Sequence, residues 1–186
     1  MVRIAKEKGF VAPTIYQCNY SPVSRITEDL LFPVLRRHGI AFYAYSPLAG
    51  GFLTKTRAQV QQGTVERFNS ATPFGRMYAT LFNKESYLDA LSEWDAISSR
   101  SGIANAELAY RWMAHHSHLD GAQGDGLVFG ATTLEQIRET ISGISRGPLP
   151  QEVVAQIEKV WNSVKGDAGL DIFNTSTMED RRPNSS

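Results

Sequence analysis

The chain has 186 residues, 42% of them hydrophobic and 10% aromatic, with 19 basic and 19 acidic side chains. Such a balance fits an ordinary globular protein, and a net charge of zero gives no long-range attraction to nucleic acid or an anionic membrane surface. No apolar run is long enough to cross a bilayer, and the single cysteine, Cys18, excludes an intrachain disulfide framework. Cys18 is expected to be inert packing, and the cytosol is the expected location.

Short apolar runs alternate with longer helical patterns along the chain. Thr14 to Asn19 reads as a strand, followed by a helix carrying Ile26, Leu30, Leu31, Val34 and Leu35, with a kink at Pro33 and a stop at Gly39. A second strand spans Ile40 to Tyr45. Tyr87, Leu88, Leu91, Trp94 and Ile97 recur at helical spacing, Gly102 breaks the pattern, and Ala104 to His115 forms a further helix. A third short strand is expected over Leu127, Val128 and Phe129, then helices over Thr133 to Ile144 and Gln151 to Val164. From Asn174 the sequence lacks apolar periodicity, so residues 174–186 are expected to be a disordered tail beyond a folded region of residues 1–173. Alternation of this kind implies parallel βαβ units.

Residues 42–54, Phe-Tyr-Ala-Tyr-Ser-Pro-Leu-Ala-Gly-Gly-Phe-Leu-Thr, form the most informative segment. An apolar strand ends in Ser46 and Pro47, and Gly50 and Gly51 lack the Cβ that keeps a backbone away from a ligand. This composition suits an anion cradle as well as an ordinary glycine turn. A second candidate lies at Thr132 and Thr133. Either can cap the following helix with Glu135 or Gln136 returning the bond, and the free N–H groups of such a terminus also attract phosphate. His115, His116 and His118 do not make a convincing metal site: 115 and 116 point about 100° apart on a helix and no carboxylate or cysteine completes a set.

Three stretches carry a resemblance: Ser46-Pro-Leu-Ala-Gly-Gly51; Glu107-Leu-Ala-Tyr-Arg-Trp-Met-Ala-His-His-Ser117 with Leu119 to Asp125; and Gly130-Ala-Thr-Thr-Leu-Glu-Gln136. In this order they resemble the C-terminal half of aldo-keto reductases, most closely the aflatoxin-aldehyde reductase subfamily. The resemblance implies part of a (β/α)8 TIM barrel of about three strands with flanking helices, the barrel incomplete, since complete barrels need about 250 residues. It implies an NADPH-dependent oxidoreductase of small aldehydes or ketones. Gln17 would bond the nicotinamide carboxamide and Tyr45 would stack on its ring. Ser46, Pro47, Leu48, Gly50 and Gly51 would cradle the pyrophosphate, with Arg67 clamping from above. Thr132, Thr133, Gln136, Glu139 and Thr140 would hold the adenosine 2′-phosphate, ribose and adenine, and Tyr78 would face substrate.

The family's catalytic Asp, Tyr, Lys and His belong to earlier strands, so no catalytic residue is assigned and no metal is expected. Three readings follow: a reductase whose front half is missing, inactive as given, which is favoured; a non-catalytic paralogue that binds a nucleotide or a partner chain completing the barrel; and a degenerate product. Neither nucleic acid nor membrane is an expected partner.

Overall fold

The computed structural model describes residues 1–63 and 65–169. Strand β1 (Ile15–Asn19) runs parallel to β2 (Ala41–Tyr45), with Ile15 opposite Ala41 and Asn19 opposite Tyr45. Strand β3 (Gly126–Leu127) is parallel to the other edge of β2, giving the order β1-β2-β3. The third strand is shorter and earlier than the 127–129 expected from its apolar run. Val128 still donates its N–H to the Ala44 carbonyl at 2.7 Å, but the chain then leaves the ladder and Phe129 packs edge-on against Tyr110 at 5.6 Å.

Helix α1 (Val2–Lys8) precedes β1, and α2 (Thr27–Leu30) and α3 (Phe32–His38) connect β1 to β2. The kink expected at Pro33 is a full break. Proline lacks the N–H that a continuing helix needs, so it sits in the first turn of a new helix, and Gly39 closes that helix at φ 61°. The β2–β3 connection carries a 3-10 turn (Ala49–Thr54), α4 (Arg57–Gln62), α5 (Pro73–Phe82), α6 (Glu85–Ser101) and α7 (Asn105–His115). Helices α8 (Leu134–Ser145) and α9 (Gln151–Val164) follow β3. Helices α4 and α5 were not anticipated, though Thr56 with Gln59 and Thr72 before Pro73 are helix-start signals in plain view.

One face of the sheet is packed and the other is not. Phe42 and Ala44 are fully buried, while the alternating Ala41, Tyr43 and Tyr45 are half-buried. Phe42 stacks on Phe32 at 4.7 Å and meets Tyr20 edge-on, and Tyr20 in turn touches Trp112. Arg25 lies over the Trp112 ring at 4.7 Å and pairs with Glu28 and Glu158, binding α2, α7 and α9 together. A second aromatic knot of Phe52, Phe68, Tyr78, Phe82 and Tyr87 supports the 49–54 turn from below. The expected face of α6 is confirmed: Tyr87, Leu88, Leu91, Trp94 and Ile97 are all buried.

Asp125 fixes the position of β3. Its carboxylate forms a two-toothed pair with Arg36 of α3, accepts the Phe42 N–H of β2 at 2.7 Å and accepts the Asp120 N–H at 2.9 Å. Burial alone would raise the pKa of this carboxyl, but the Arg36 contact and the two backbone N–H groups hold it below the usual carboxylate range.

The two flanks of the sheet stay uncovered. Ile4, Phe10, Val11 and Ile15 are exposed beside β1, and Val128, Leu134, Ile137 and Ile141 beside β3. Among the described residues the three strands form an open sheet that does not close into a barrel. The boundary expected at residue 173 and the tail expected at 174–186 lie outside the described residues.

Two stability tests follow. Asp125→Asn removes the charge from a buried, fully hydrogen-bonded carboxylate and is expected to cost about 2 kcal/mol or more in urea unfolding; a loss under about 0.5 kcal/mol contradicts its role as the clasp. His116 gives a pH test. Its Nε2 accepts the Leu149 N–H at 2.8 Å and must be unprotonated to do so. Burial, then His115 and Arg111, lowers its pKa. The folded state therefore disfavours the proton, so this contribution is complete above the unfolded histidine pKa and is lost as pH falls below about 6.5. Wild type should lose more stability than His116→Gln between about pH 7.5 and about pH 5.5; equal losses exclude the contact as the cause.

Candidate cofactor cleft

Strand β2 ends in a turn that few sequences tolerate. Ser46 and Ala49 take φ values of 56° and 51°, and Gly50 and Gly51 follow at 69° and 99°. Left-handed geometry at non-glycine residues stores strain, and strain of this kind concentrates at ligand clamps. Buried Pro47 and Ala49 anchor the turn, Phe52 and Leu53 bury beneath it, and the Thr54 hydroxyl donates to the Gly51 carbonyl at 2.8 Å.

The two glycines differ in what surrounds them. A Cβ on Gly50 would lie 2.1 Å from the Tyr78 ring, whereas one on Gly51 would meet nothing within 4 Å. Gly51 is therefore the glycine with open space above it. Tyr78, expected to face substrate, is buried against Gly50, Phe68 and Phe82, its ring filling the slot that the missing Gly50 Cβ leaves.

The second component is the start of α8. Thr133 caps the helix by accepting the Gln136 N–H at 3.2 Å. The Gln136 side chain returns its amide oxygen to Thr132, accepting the backbone N–H at 2.9 Å and the hydroxyl at 3.2 Å. Thr133 is thus the cap and Thr132 the receiver of the return bond, which resolves the choice the sequence left open. These bonds occupy only the amide oxygen, leaving the Gln136 amide N–H2 chemically suited to an anionic oxygen.

The 46–54 turn and the start of α8 border one cleft of about 790 Å3. Of the residues expected to hold cofactor, Leu48, Gln136, Glu139 and Thr140 line it, with Thr54, Gly130 and Ala131 between them. Thr132 and Thr133 stand at its rim through their bonds to Gln136. Gln17, Tyr45, Ser46, Pro47, Gly50 and Gly51 do not line it: Gln17 is exposed in β1, Tyr45 is half-buried at the end of β2, and of the turn that follows only Leu48 and Thr54 reach the cleft. Arg67 is exposed on the 66–68 turn and also lies apart from the cleft.

Sequence reasoning missed the far wall. Glu107 and Tyr110 of α7, Arg138 and Ser142 of α8 and Arg146 just past its end line it, and the last three recur every four residues, which puts them on one stripe. Glu107 is the node of the wall. It accepts from Arg111 at 3.0 Å and from Arg146 at 2.5 Å, and Gly143 brings α8 so close that a Cβ there would lie 3.2 Å from the Glu107 side chain. Arg111 also donates to the carbonyls of Gly147 and Pro148 at 2.8 and 2.7 Å. Helix α8 is thus held to α7 largely by polar contacts.

The tyrosine hydroxyls with shifted acidity, Tyr20, Tyr87 and Tyr110, are all pushed up, chiefly by burial, which is the wrong direction for a ready proton donor. Among the described residues no group of three or more His, Cys, Asp or Glu is placed to hold a metal ion. His115 donates to the Ile144 carbonyl, His116 accepts from Leu149, and His118 packs edge-on against Phe32. Among the described residues no helix is long and apolar enough to cross a membrane.

Residues 1–162 match the aldo/keto reductase family. The chain is 40% identical to the oxidoreductase sirO of Leptosphaeria maculans over 88% of its own length and 50% of that protein. It is 36% identical to an aldo-keto reductase of Pseudocercospora fijiensis over 87% of its length and 55% of that protein, and 37% identical to human aflatoxin B1 aldehyde reductase member 4 over 86% and 50%. The chain therefore spans about half the length of the curated relatives it matches. A family match over most of this chain makes it a member of the aldo/keto reductase family.

Proposed function

We propose that the chain carries the adenosine-phosphate half of an NADPH site and serves a reductase of small aldehydes or ketones, with the proton-transfer residues supplied from outside these residues. One observation carries this reading: Leu48 and Thr54 of the turn after β2 and the N-terminal part of α8, which follows β3, line a single cleft. Both parallel strands direct their C-terminal ends to that side, where ligands of α/β folds bind.

The residues suit the group. Gly51 leaves room for a backbone approach to pyrophosphate, the first turn of α8 presents N–H groups with a favourable dipole, and the Gln136 amide can donate to a phosphate oxygen. Glu139 and Thr140 offer an acceptor and a hydroxyl for ribose or the adenine amine, and the cleft volume falls within the range of small-molecule sites. When bound, the cofactor supplies a hydride; this chain's residues hold and orient its phosphate end. Gln17 and Tyr45 are proposed for the nicotinamide end and Arg67 as a clamp over the cofactor, while Tyr78, whose ring fills the slot beside Gly50, would face substrate only after leaving it.

A non-catalytic chain that binds a nucleotide or a partner is the second reading, favoured by the bare apolar flanks beside β1 and β3. Under it, a second polypeptide that supplies the missing strands raises NADPH affinity. A cytosolic, reducing setting suits either reading, since Cys18 is a buried free thiol.

Two measurements test the proposal. The purified chain should show no NADPH-dependent turnover of a reactive aldehyde such as 4-nitrobenzaldehyde; a rate of about 1 s⁻¹ or more, ordinary for an enzyme, means that a catalytic group within these residues has been overlooked. By calorimetric titration the chain should bind NADPH weakly. Gln136→Ala should reduce affinity by about tenfold, the scale of one hydrogen bond to a charged group. Gly51→Val should abolish binding by placing a branched side chain in the open space above the turn. If both variants bind like the parent, the cleft is not the phosphate site.

A further inference from the structure

We infer that His116 is a pH-operated clasp: when its ring takes a proton it releases the 144–149 connection, and helix α8 with it, from α7, so that the far wall of the cleft opens. The assignment concerns how the wall is held and does not rest on what the cleft binds.

The first ground is how little apolar burial holds α8. Of its twelve residues Gly143 alone is buried, while Leu134, Ile137 and Ile141 are exposed. Attachment to α7 runs largely through polar contacts at the C-terminal end. Arg146 pairs with Glu107, His115 with the Ile144 carbonyl, Arg111 with the Gly147 and Pro148 carbonyls, and His116 with the Leu149 N–H. Leu149 is buried just ahead of α9, so the clasp ties α7 to a fixed point of the chain from which α8 hangs.

The second ground is that the two adjacent histidines answer a proton in opposite ways. His115 donates from Nε2 to a carbonyl at 2.9 Å, and a charged ring donates there equally well. His116 accepts at Nε2 at 2.8 Å, and a protonated Nε2 would meet the Leu149 N–H donor to donor. Its surroundings add to the conflict. Burial, then His115 and Arg111 of α7, disfavour the proton. Glu107, the carboxylate of this network, is engaged by Arg111 and by Arg146 of the connection, and Glu152 in the first turn of α9 does not offset the two basic groups. The shut clasp therefore binds a proton less well than the open one. Opening is least above the ordinary histidine pKa of about 6.5 and grows by up to about tenfold for each pH unit below it.

Amide hydrogen exchange of the full chain, corrected for the pH dependence of intrinsic exchange, reads this opening segment by segment. In wild type, opening of 134–149 should rise about five- to tenfold between about pH 6.5 and about pH 5.5, while β1 and β2 stay protected. His116→Gln, whose amide oxygen accepts the Leu149 N–H without titrating, should flatten the rise, and His115→Gln should leave it in place. Ring NMR of wild type checks the clasp without any variant: near neutral pH His116 should carry its proton on Nδ1. A rise that persists in His116→Gln, no rise in wild type, an equal rise in β1 and β2, or a proton on Nε2 overturns the inference.

Discussion

The Asp125 carboxylate is the constraint on which the rest of the arrangement depends. It is fully enclosed, and it receives a guanidinium from α3, a backbone N–H from β2 and another from its own loop. A carboxylate so enclosed is tolerable only because each of these donors offsets the loss of water. Its position locks β3 beside β2 although β3 contributes only two ladder residues. With β3 fixed, the segment from Gly130 to Thr133 emerges next to the turn that ends β2, and the cleft between them becomes a property of the sheet rather than of mobile loops.

The far wall of the cleft follows a different logic. Helix α8 leaves Leu134, Ile137 and Ile141 exposed and is attached through Glu107, Arg111, Arg146 and the two histidine contacts to the 144–149 segment. Polar stitching gives direction but little net stability, whereas apolar burial gives stability without direction. A helix held this way keeps its register against α7 while its apolar face waits for a cover. The exposed residues beside β1 leave the opposite flank in the same condition, and the chain spans about half of its curated relatives.

Much of this was legible in the sequence because short-range physics governs it. Strand β2, the α6 face and a threonine cap at the start of α8 follow from periodicity and capping chemistry, and α9 falls where its apolar spacing puts it. The break at Pro33 was placed correctly and underestimated. Pairings between distant residues were not legible: Asp125 with Arg36 spans 89 positions and Arg146 with Glu107 spans 39, and no local rule relates them. The slot that Gly50 opens for Tyr78 was hidden for the same reason, since a glycine shows that space is needed without showing what fills it.

The central claim is that the turn after β2 and the start of α8 act as one phosphate-binding site. Backbone amide hydrogen exchange with and without saturating NADP+ tests it most directly, because it reports ordering segment by segment without requiring catalysis. The account predicts slowed exchange in both 46–54 and 130–140, with little change along β1. Unchanged exchange in these two segments, or protection confined to one of them, would contradict it.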